Sequence, residues 1–306
     1  MQSIETQENP VYGDLRVSAL ASGSSGNAFL VEAGEVKLLF DAGLGAAALD
    51  YYLRGCNVQA QQLSAIFVSH EHIDHLRGAG MLARRHSLPV VATEGTFLAG
   101  NRHFGWLPEK VVQPVGGEGQ IGGVTVRTFA VSHDAFETVG FRVEAEGRSI
   151  AICTDLGCET ESIVEALQAA DLLVLEANHD VNRLWRGPYH PALKKRVAGP
   201  RGHLSNAEAA RLIADLAQDG RHRTVWLAHL SAANNTPALA YSTVAEPLDR
   251  EECRHIHVEV LARDKPSFVW HKGVSRSLAI APVQLWRESR RTAPTHLRAE
   301  AGNVSD

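Results

Sequence analysis

Histidine and aspartate residues cluster in one short segment of this 306-residue chain. The segment contains His70, His72, Asp74 and His75 within six positions. The apolar run at 65–68 predicts a buried strand that leads into the segment, and the residues that follow predict a helix. Residues two apart on an extended backbone point the same way. The spacing therefore predicts two ligand pairs for two neighbouring metal ions, His70 with His72 and Asp74 with His75.

The composition is that of an ordinary globular chain. Hydrophobic residues make up 44% and charged residues 21%, and the net charge of −5 excludes a molecule that is basic throughout. The four cysteines form no C-x-x-C pair, which indicates reduced thiols rather than a disulfide framework. No apolar run is long enough to span a membrane, and the N-terminus lacks the pattern of a secretion signal. We therefore predict a cytoplasmic protein without membrane contact.

Further candidate residues stand where predicted strands end. A side chain at such a position has a rigid support and stays open to a crevice. His133 follows the alternating run 124–131, and the others follow buried runs: Asp155, Glu176 and His229. An aspartate after a strand is otherwise a helix cap or a turn residue, and a lone histidine is otherwise a core or capping residue.

A basic segment follows the strand that ends in Glu176. Residues 181–207 include no acidic residue and six basic ones: Arg183, Arg186, Lys194, Lys195, Arg196 and Arg201. A run of charge is usually only a solvated face, and the interleaved Trp185 and Tyr189 can simply anchor a loop. Because the run has one sign within an acidic protein, we favour a contact with a polyanion. The aromatic side chains could then stack on bases.

Two other places are candidate substrate contacts. The turn at 22–27 contains Ser24, Ser25 and Asn27, whose small side chains would let backbone N–H groups approach a phosphate. A plain hairpin loop is the commoner use of such a cluster. His179 keeps three interpretations open: a metal ligand, a phosphate contact or an organiser of its loop.

The pattern His70-x-His72-x-Asp74-His75 resembles the signature of the metallo-β-lactamase superfamily. The resemblance implies an α/β fold, a four-layer αβ/βα sandwich of two mixed β-sheets flanked by helices, with a two-metal site between the sheets. It also implies seven ligands in two sets with a shared bridge: His70, His72 and His133 for the first ion, Asp74, His75 and His229 for the second, and Asp155 between them. Such a set accepts Zn²⁺ or Mn²⁺, and also Fe.

The order of several stretches over residues 15–270 is similar to a narrower group, the YycJ (WalJ/VicX) proteins. This resemblance implies a binuclear metal-dependent phosphodiesterase that acts as a 5′→3′ DNA exonuclease through a metal-bridged hydroxide, on single-stranded or 5′-phosphorylated DNA. A role in DNA repair is the matching expectation. No β-CASP insertion lies between Asp155 and His229, so relatives that carry that domain match less well. The oligomeric state stays open.

Roles for the remaining residues follow from resemblance and charge. Glu176 and His203 resemble a Glu–His couple of tRNase Z, which implies that His203 is the general acid, oriented by Glu176, beside the catalytic Asp74. A strand backbone would be bound by His179, Arg186, Lys194, Lys195, Arg196 and Arg201. We expect one catalytic domain at 14–272 between a flexible N-terminal tail at 1–13 and a flexible basic C-terminal extension at 273–306, because periodicity is lost from about residue 273.

Three rival functions share parts of this pattern. A small-molecule hydrolase, such as a cyclic phosphodiesterase or a lactonase, would use the same ligands but has no need of six basic residues beside them. A redox di-iron protein usually has glutamate where this chain has His72. A non-catalytic regulatory or binding protein would not require a complete ligand set.

Overall fold

The computed structural model describes residues 15–280. The tail predicted at 1–13 and the part of the predicted extension from 281 onward lie outside the described residues. The helices are α1 Ala46–Gly55, α2 Ile73–Leu76, α3 Ala79–His86, α4 Glu94–Phe104, α5 Glu161–Gln168, α6 Val181–Arg186, α7 Pro191–Val197, α8 Asn206–Ala217 and α9 Pro237–Arg250. The strands are β1 Arg16–Ala21, β2 Ala28–Ala33, β3 Val36–Phe40, β4 Ala65–Phe67, β5 Pro89–Ala92, β6 Glu109–Val112, β7 Glu118–Ile121, β8 Val124–Ala130, β9 Val139–Ala145, β10 Arg148–Cys153, β11 Leu172–Glu176, β12 Arg223–Ala228, β13 Ile256–Val260, β14 Phe268–His271 and β15 Val274–Ser277.

The strands form two mixed sheets. The first has the order β15-β14-β1-β2-β3-β4-β5-β6, and the second has the order β13-β12-β11-β10-β9-β8-β7. Within the first sheet β3, β4, β5 and β6 run parallel, and within the second β10, β11, β12 and β13 do so. Helices lie between all of these parallel neighbours along the chain, as is usual for crossover connections.

Three apolar layers hold the sheets and helices together. Between the sheets, Phe40 and Phe67 of the first stack at 4.9 Å between ring centroids, and Phe141 of the second lies 5.0 Å from Phe40. Helices α1, α3 and α4 pack on the outer face of the first sheet, and α5, α8 and α9 pack on the outer face of the second. The predicted four-layer αβ/βα sandwich is therefore confirmed.

The register of the parallel strands gathers their carboxyl ends at one edge. Phe40 is paired with Phe67 in the first sheet. In the second sheet Leu175 is paired with both Cys153 and Leu227. The residues that follow these positions, from both sheets, thus emerge side by side at one rim of the sandwich.

Two details differ from the sequence predictions. The strand β15 pairs with β14, so the first sheet continues past residue 272, the predicted end of the domain. Its four mostly exposed residues show no hydrophobic period that could have marked it. The single helix predicted after His75 is divided at Gly78, where an added Cβ would lie 2.3 Å from the Leu44 carbonyl oxygen. No helix of the described residues is long and apolar enough to cross a membrane.

Candidate metal centre

The histidine-rich segment begins directly after the buried strand β4. His70 and His75 are fully buried, while one third of the His72 side chain is exposed. The rings of His70 and His72 lie 4.6 Å apart, and those of His70 and His75 lie 4.1 Å apart. The short helix α2 turns the chain so that Asp74 and His75 face the same rim. One segment therefore presents four polar side chains to one point.

A first group of donor atoms comes from His70, His72 and His133, and these atoms lie within 4.8 Å of one another. His133 reaches them from the loop after β8 in the second sheet. Its Nδ1 lies 3.0 Å from the Gly202 carbonyl oxygen and must carry the proton that it donates there. Its Nε2 is therefore the atom with a free lone pair. The group joins the two sheets.

A second group comes from Asp74, His75 and His229, again within 4.8 Å. The Nδ1 of His75 donates to Asp41 at 2.7 Å. The Nδ1 of His229 donates to Glu176 at 2.7 Å. Each histidine thus turns its Nε2 into the cluster, because a carboxylate holds the opposite nitrogen. Metal-binding histidines show this arrangement in general.

Asp155 lies between the two groups. Its Oδ2 is 2.9 Å from Nε2 of His75, and its Oδ1 is 3.6 Å from Nε2 of His133. The same carboxylate also groups with His70 and His75 as a possible ligand set. Asp155 is 2% exposed. Its position fits a carboxylate that would touch two ions.

The donor chemistry of the cluster fits divalent cations. The Nε2 atoms of His70 and His229 are buried and have no hydrogen-bond partner among the described residues. Such orphaned atoms are costly unless something binds them. The carboxylates of Asp41, Asp155 and Glu176 are buried in the same place, and buried negative charge needs nearby positive charge. Histidine with carboxylate is the donor set of Zn, Mn and Fe.

The pKa values of His70 and His75 are shifted in opposite directions. Burial, with the neighbouring His75, lowers the pKa of His70 well below its ordinary value, so its imidazole is neutral and ready to bind a cation. Burial also acts to lower the pKa of His75, but the carboxylates of Asp41, Asp155 and Asp74 raise it well above its ordinary value. The carboxylates around His75 therefore favour positive charge at this position.

Glu176 links the cluster to His203. Its Oε1 accepts from Nδ1 of His203 at 2.9 Å and from Nδ1 of His229 at 2.7 Å. Its Oε2 accepts from the backbone N–H of Leu156 at 2.7 Å and of Leu204 at 3.1 Å. Burial favours the protonated acid, but the two histidines outweigh it and lower the pKa of Glu176 to about 2. One fully buried carboxylate thus orients two imidazole rings.

His203 stands at the open side of the cluster, with 21% of its side chain exposed. Its Nδ1 lies 3.6 Å from Asp155. Burial acts to lower the pKa of His203, but the charge and hydrogen bond of Glu176 raise it above its ordinary value. A protonated imidazole beside a cation site, in contact with solvent, can give a proton to a leaving group.

Sequence reasoning missed Asp41. This buried residue follows β3 directly, accepts from Nδ1 of His75 at 2.7 Å and accepts from the Ser69 backbone N–H at 2.9 Å. Asp41 therefore holds the first and the last residue of the histidine-rich segment 69–75. A signal was available, because Asp41 stands at a strand end as Asp155 does.

The predicted substrate contacts differ in exposure. Asn27 is fully buried, so its place among substrate-binding residues is corrected: its side-chain nitrogen lies 3.0 Å from Nε2 of His75 and 3.3 Å from the Gly23 carbonyl oxygen. Ser24 and Ser25 of the same turn are exposed. Arg201 is exposed too.

The guanidinium of Arg201 is engaged with the protein. It donates to the carbonyl oxygens of His133 at 3.0 Å and Ala135 at 3.3 Å. His179 is 2% exposed and belongs to none of the ligand groups. Its backbone pairs with Ser205, and the role of its side chain stays a prediction.

The basic segment forms the helices α6 and α7 rather than a loop. Arg186 and Lys195 are exposed, and the Nζ of Lys194 donates to the Trp185 carbonyl oxygen at 2.8 Å. Arg196 forms an ion pair with Asp134, the neighbour of His133. We call the exposed residues Arg186, Lys195 and Arg196 the basic surface. The ion pair brings one end of this surface to the rim of the cluster.

The sandwich, with histidines and carboxylates of both sheets gathered at one rim, defines a metallo-β-lactamase-fold protein. A family model described as the β-lactamase superfamily domain matches residues 37–230. Exodeoxyribonuclease YycJ of Bacillus anthracis is 37% identical over 239 residues, which cover 78% of this chain and 90% of the relative. Exodeoxyribonuclease WalJ of Streptococcus pneumoniae serotype 2 is 36% identical over 238 residues, covering 76% and 88%. The chain belongs to the β-lactamase superfamily and, within it, to the family of YycJ and WalJ.

Solved structures agree on the fold. The metallo-β-lactamase fold protein YhfI from Bacillus subtilis has a TM-score of 0.64 and 18% identity, covering 84% of this chain and 99% of that chain. The short form of human tRNase Z has a TM-score of 0.57 and 19% identity, covering 87% and 100%.

Proposed function

We propose that this chain is a two-metal phosphodiesterase that degrades DNA from its 5′ end, on single-stranded or 5′-phosphorylated substrates. The contact between Glu176 and His203 carries the proposal, because it places an oriented acid next to a cation site. The relatives named exodeoxyribonuclease, aligned over most of both chains, support the same reaction class.

Seven residues would hold the ions: His70, His72 and His133 at one position, Asp74, His75 and His229 at the other, and Asp155 at both. Bound divalent ions lower the pKa of water and neutralise charge on a phosphate. Either Zn²⁺ or Mn²⁺ suits the donors, and Fe does as well. The carboxylates Asp41 and Glu176, which accept from the Nδ1 atoms of His75 and His229, would leave the Nε2 atoms of both rings free to bind the ions.

His203 would protonate the oxygen that leaves when the phosphodiester bond breaks. The proton that His203 gives up would be the one on Nε2, since the proton on Nδ1 is donated to Glu176. Proton donation to a poor leaving group contributes about 10²- to 10⁴-fold to a rate. Glu176 makes the imidazolium form more stable, and its own burial prevents the carboxylate from turning away.

The helices α6 and α7 would hold the substrate backbone. Three basic side chains of these helices are exposed: Arg186, Lys195 and Arg196. The surface that they form ends at Asp134, beside the cluster. Contacts to phosphates position a strand without reading its sequence. We therefore propose low sequence preference and a steep salt dependence of binding. The cytoplasmic location also stays a prediction, supported by cysteines that are all free.

The test is a time course on 5′-phosphorylated, 3′-labelled single-stranded DNA with Mn²⁺ or Zn²⁺. We expect labelled products that shorten progressively, and we expect Asp74→Ala to abolish them. Parallel reactions with RNA and with bis(p-nitrophenyl) phosphate separate the substrate classes. Intact DNA beside rapid hydrolysis of the small diester would refute the nuclease and support a small-molecule hydrolase.

His203→Asn tests the acid separately. We expect a large loss of turnover on DNA with the metal content unchanged. Bis(p-nitrophenyl) phosphate should respond far less, because p-nitrophenolate leaves without a proton. An equal loss on both substrates would refute the role of His203 as the acid.

A further inference from the structure

We propose that Phe136 forms a nucleobase subsite beside the metal centre and stacks on a base of the bound strand. The inference rests on the proposed function and deepens it, because it names a contact for the base where the other residues contact phosphate. Phe136 is 71% exposed, although the neighbouring Ala135 and Thr138 are buried. It stands three residues after His133, so the two lie within about 10 Å of each other along the chain.

The loop that carries Phe136 is held rigidly. The backbone N–H of Phe136 donates to the Glu71 carboxylate at 2.8 Å, and Glu71 stands between His70 and His72. Arg201 holds the carbonyl oxygens on the other side of the loop, as described above. The exposed ring is therefore presented by a fixed backbone that is tied to the metal segment itself, and it is not the tip of a loose loop.

The helix α4 supports one edge of the ring. A Cβ added at Gly95, in the first turn of α4, would lie 2.6 Å from Cδ1 of Phe136. The next residue, Glu137, accepts from the Gly95 backbone N–H at 2.9 Å. Because Gly95 has no side chain, one edge of the ring can pack against the backbone of α4 while most of the ring faces solvent.

The nucleic-acid strand remains the occupant that we propose, because the carboxylates beside the ring are already engaged: Glu71 accepts from the Phe136 N–H and Glu137 accepts from the Gly95 N–H. Arg196 of the basic surface pairs with Asp134, two residues before Phe136. A strand whose phosphates lie along α7 and reach the metal centre would therefore pass next to the ring. Stacking on an aromatic side chain is tolerant of sequence and costs about 5- to 150-fold in binding when the ring is removed.

The experiment compares Phe136→Ala with Phe136→Trp and with Trp106→Ala. Trp106 is a matched control, since it is 70% exposed and follows the far end of α4, about 16 Å along the helix from Gly95. Each protein is assayed on a DNA oligonucleotide, on a series with one abasic position moved along the 5′ end, and on bis(p-nitrophenyl) phosphate. Binding of the labelled oligonucleotide is measured by fluorescence anisotropy.

We expect Phe136→Ala to raise KM for DNA about 5- to 150-fold relative to the small diester, with Phe136→Trp and Trp106→Ala close to the wild type. One abasic position should remove the difference between wild type and Phe136→Ala, because the base that stacks is then missing. A penalty that persists at every abasic position would overturn the subsite, as would a Phe136→Ala variant with unchanged KM and Kd.

Failure of the two proposals can be told apart. A wild type that leaves DNA intact refutes the nuclease, and the anisotropy measurement then still decides whether Phe136 binds a base. A wild type that degrades DNA, with Phe136→Ala equal to it in KM and Kd, refutes only the subsite.

Discussion

Replacing Asp41 with asparagine would test whether the fold, rather than the ligands alone, sets the affinity for metal. The Oδ1 of Asp41 accepts from the Ser69 backbone N–H at 2.9 Å, and its Oδ2 accepts from Nδ1 of His75 at 2.7 Å. Asparagine keeps the size and tolerates the left-handed backbone found here, with φ of 58°. The substitution therefore changes charge and hydrogen bonding while it conserves shape.

The expected effect follows from the tautomer of His75. If the amide oxygen stays on Ser69, the amide nitrogen faces Nδ1 of His75 and donates to it. The imidazole must then carry its proton on Nε2, the atom that would bind the ion. A hydrogen bond to a charged group contributes about 1.5–3 kcal/mol, or roughly 10- to 150-fold in an equilibrium constant. We expect Asp41→Asn to weaken metal binding about 10- to 100-fold, as substitutions behind metal ligands do.

The assay is competition for Zn²⁺ against a chromophoric chelator, with metal content measured after dialysis and folding checked by circular dichroism. Asp171→Asn is the matched control. Asp171 is 9% exposed and accepts from the Ser149 backbone N–H at 2.9 Å and from Arg221 at 3.0 Å, away from the metal centre. Equal metal affinity in the two folded variants would refute the reasoning.

Three further predictions concern the basic surface, the core and an ion pair. Lys195→Ala should reduce the slope of log Kd against log salt for DNA by about 1, as measured by anisotropy, because one phosphate contact is lost. Trp270→Ala should lower the free energy of unfolding in urea by about 3–5 kcal/mol, because the fully buried ring leaves a cavity between the sheets. The Arg223 hydrogen bond lowers the pKa of Asp219 to about 2 from 3.8, so the pair stabilises the fold above pH 3.8 and stops doing so as the pH falls toward 2. Asp219→Asn should remove about 1 kcal/mol of that stability at neutral pH and flatten the acid unfolding profile. An unchanged slope, urea midpoint or acid profile would refute the corresponding prediction.

The candidate ligands that directly follow a strand were predictable from the sequence. A buried run followed by His or Asp is visible in a single segment, and the segments with His70, His133, Asp155 and His229 meet in one cluster. The sandwich was predictable through resemblance to a family with the same order of motifs. Neither inference needed to know which strands pair, because the chemistry lies at the ends of strands rather than along them.

What depends on distant pairing was not predictable in the same way. Asp41 and His75 are 34 positions apart in the sequence, and the residues around Asp41 do not indicate that it contacts His75. The members of the polar turn at 22–27 looked alike in sequence, yet the fold buries Asn27 against the second ligand group and leaves Ser24 and Ser25 exposed. The basic segment was treated as a loop, but Pro191 begins a helix, a position that proline favours.

The backbone at the rim helps to fix the positions of the donors. Asp41, Asp155 and His229 all have positive φ, at 58°, 57° and 55°. Each comes one or two residues after a parallel strand, where an extended chain would carry the side chain away from the crevice. Left-handed backbone costs about 1–2 kcal/mol per residue outside glycine, and it persists only where the surroundings over-determine it. Here each of the three side chains has buried polar partners from another strand end or from α2. The packing of the fold therefore fixes the donor positions, and removal of a partner such as Asp41 should lower the metal affinity before it abolishes the fold.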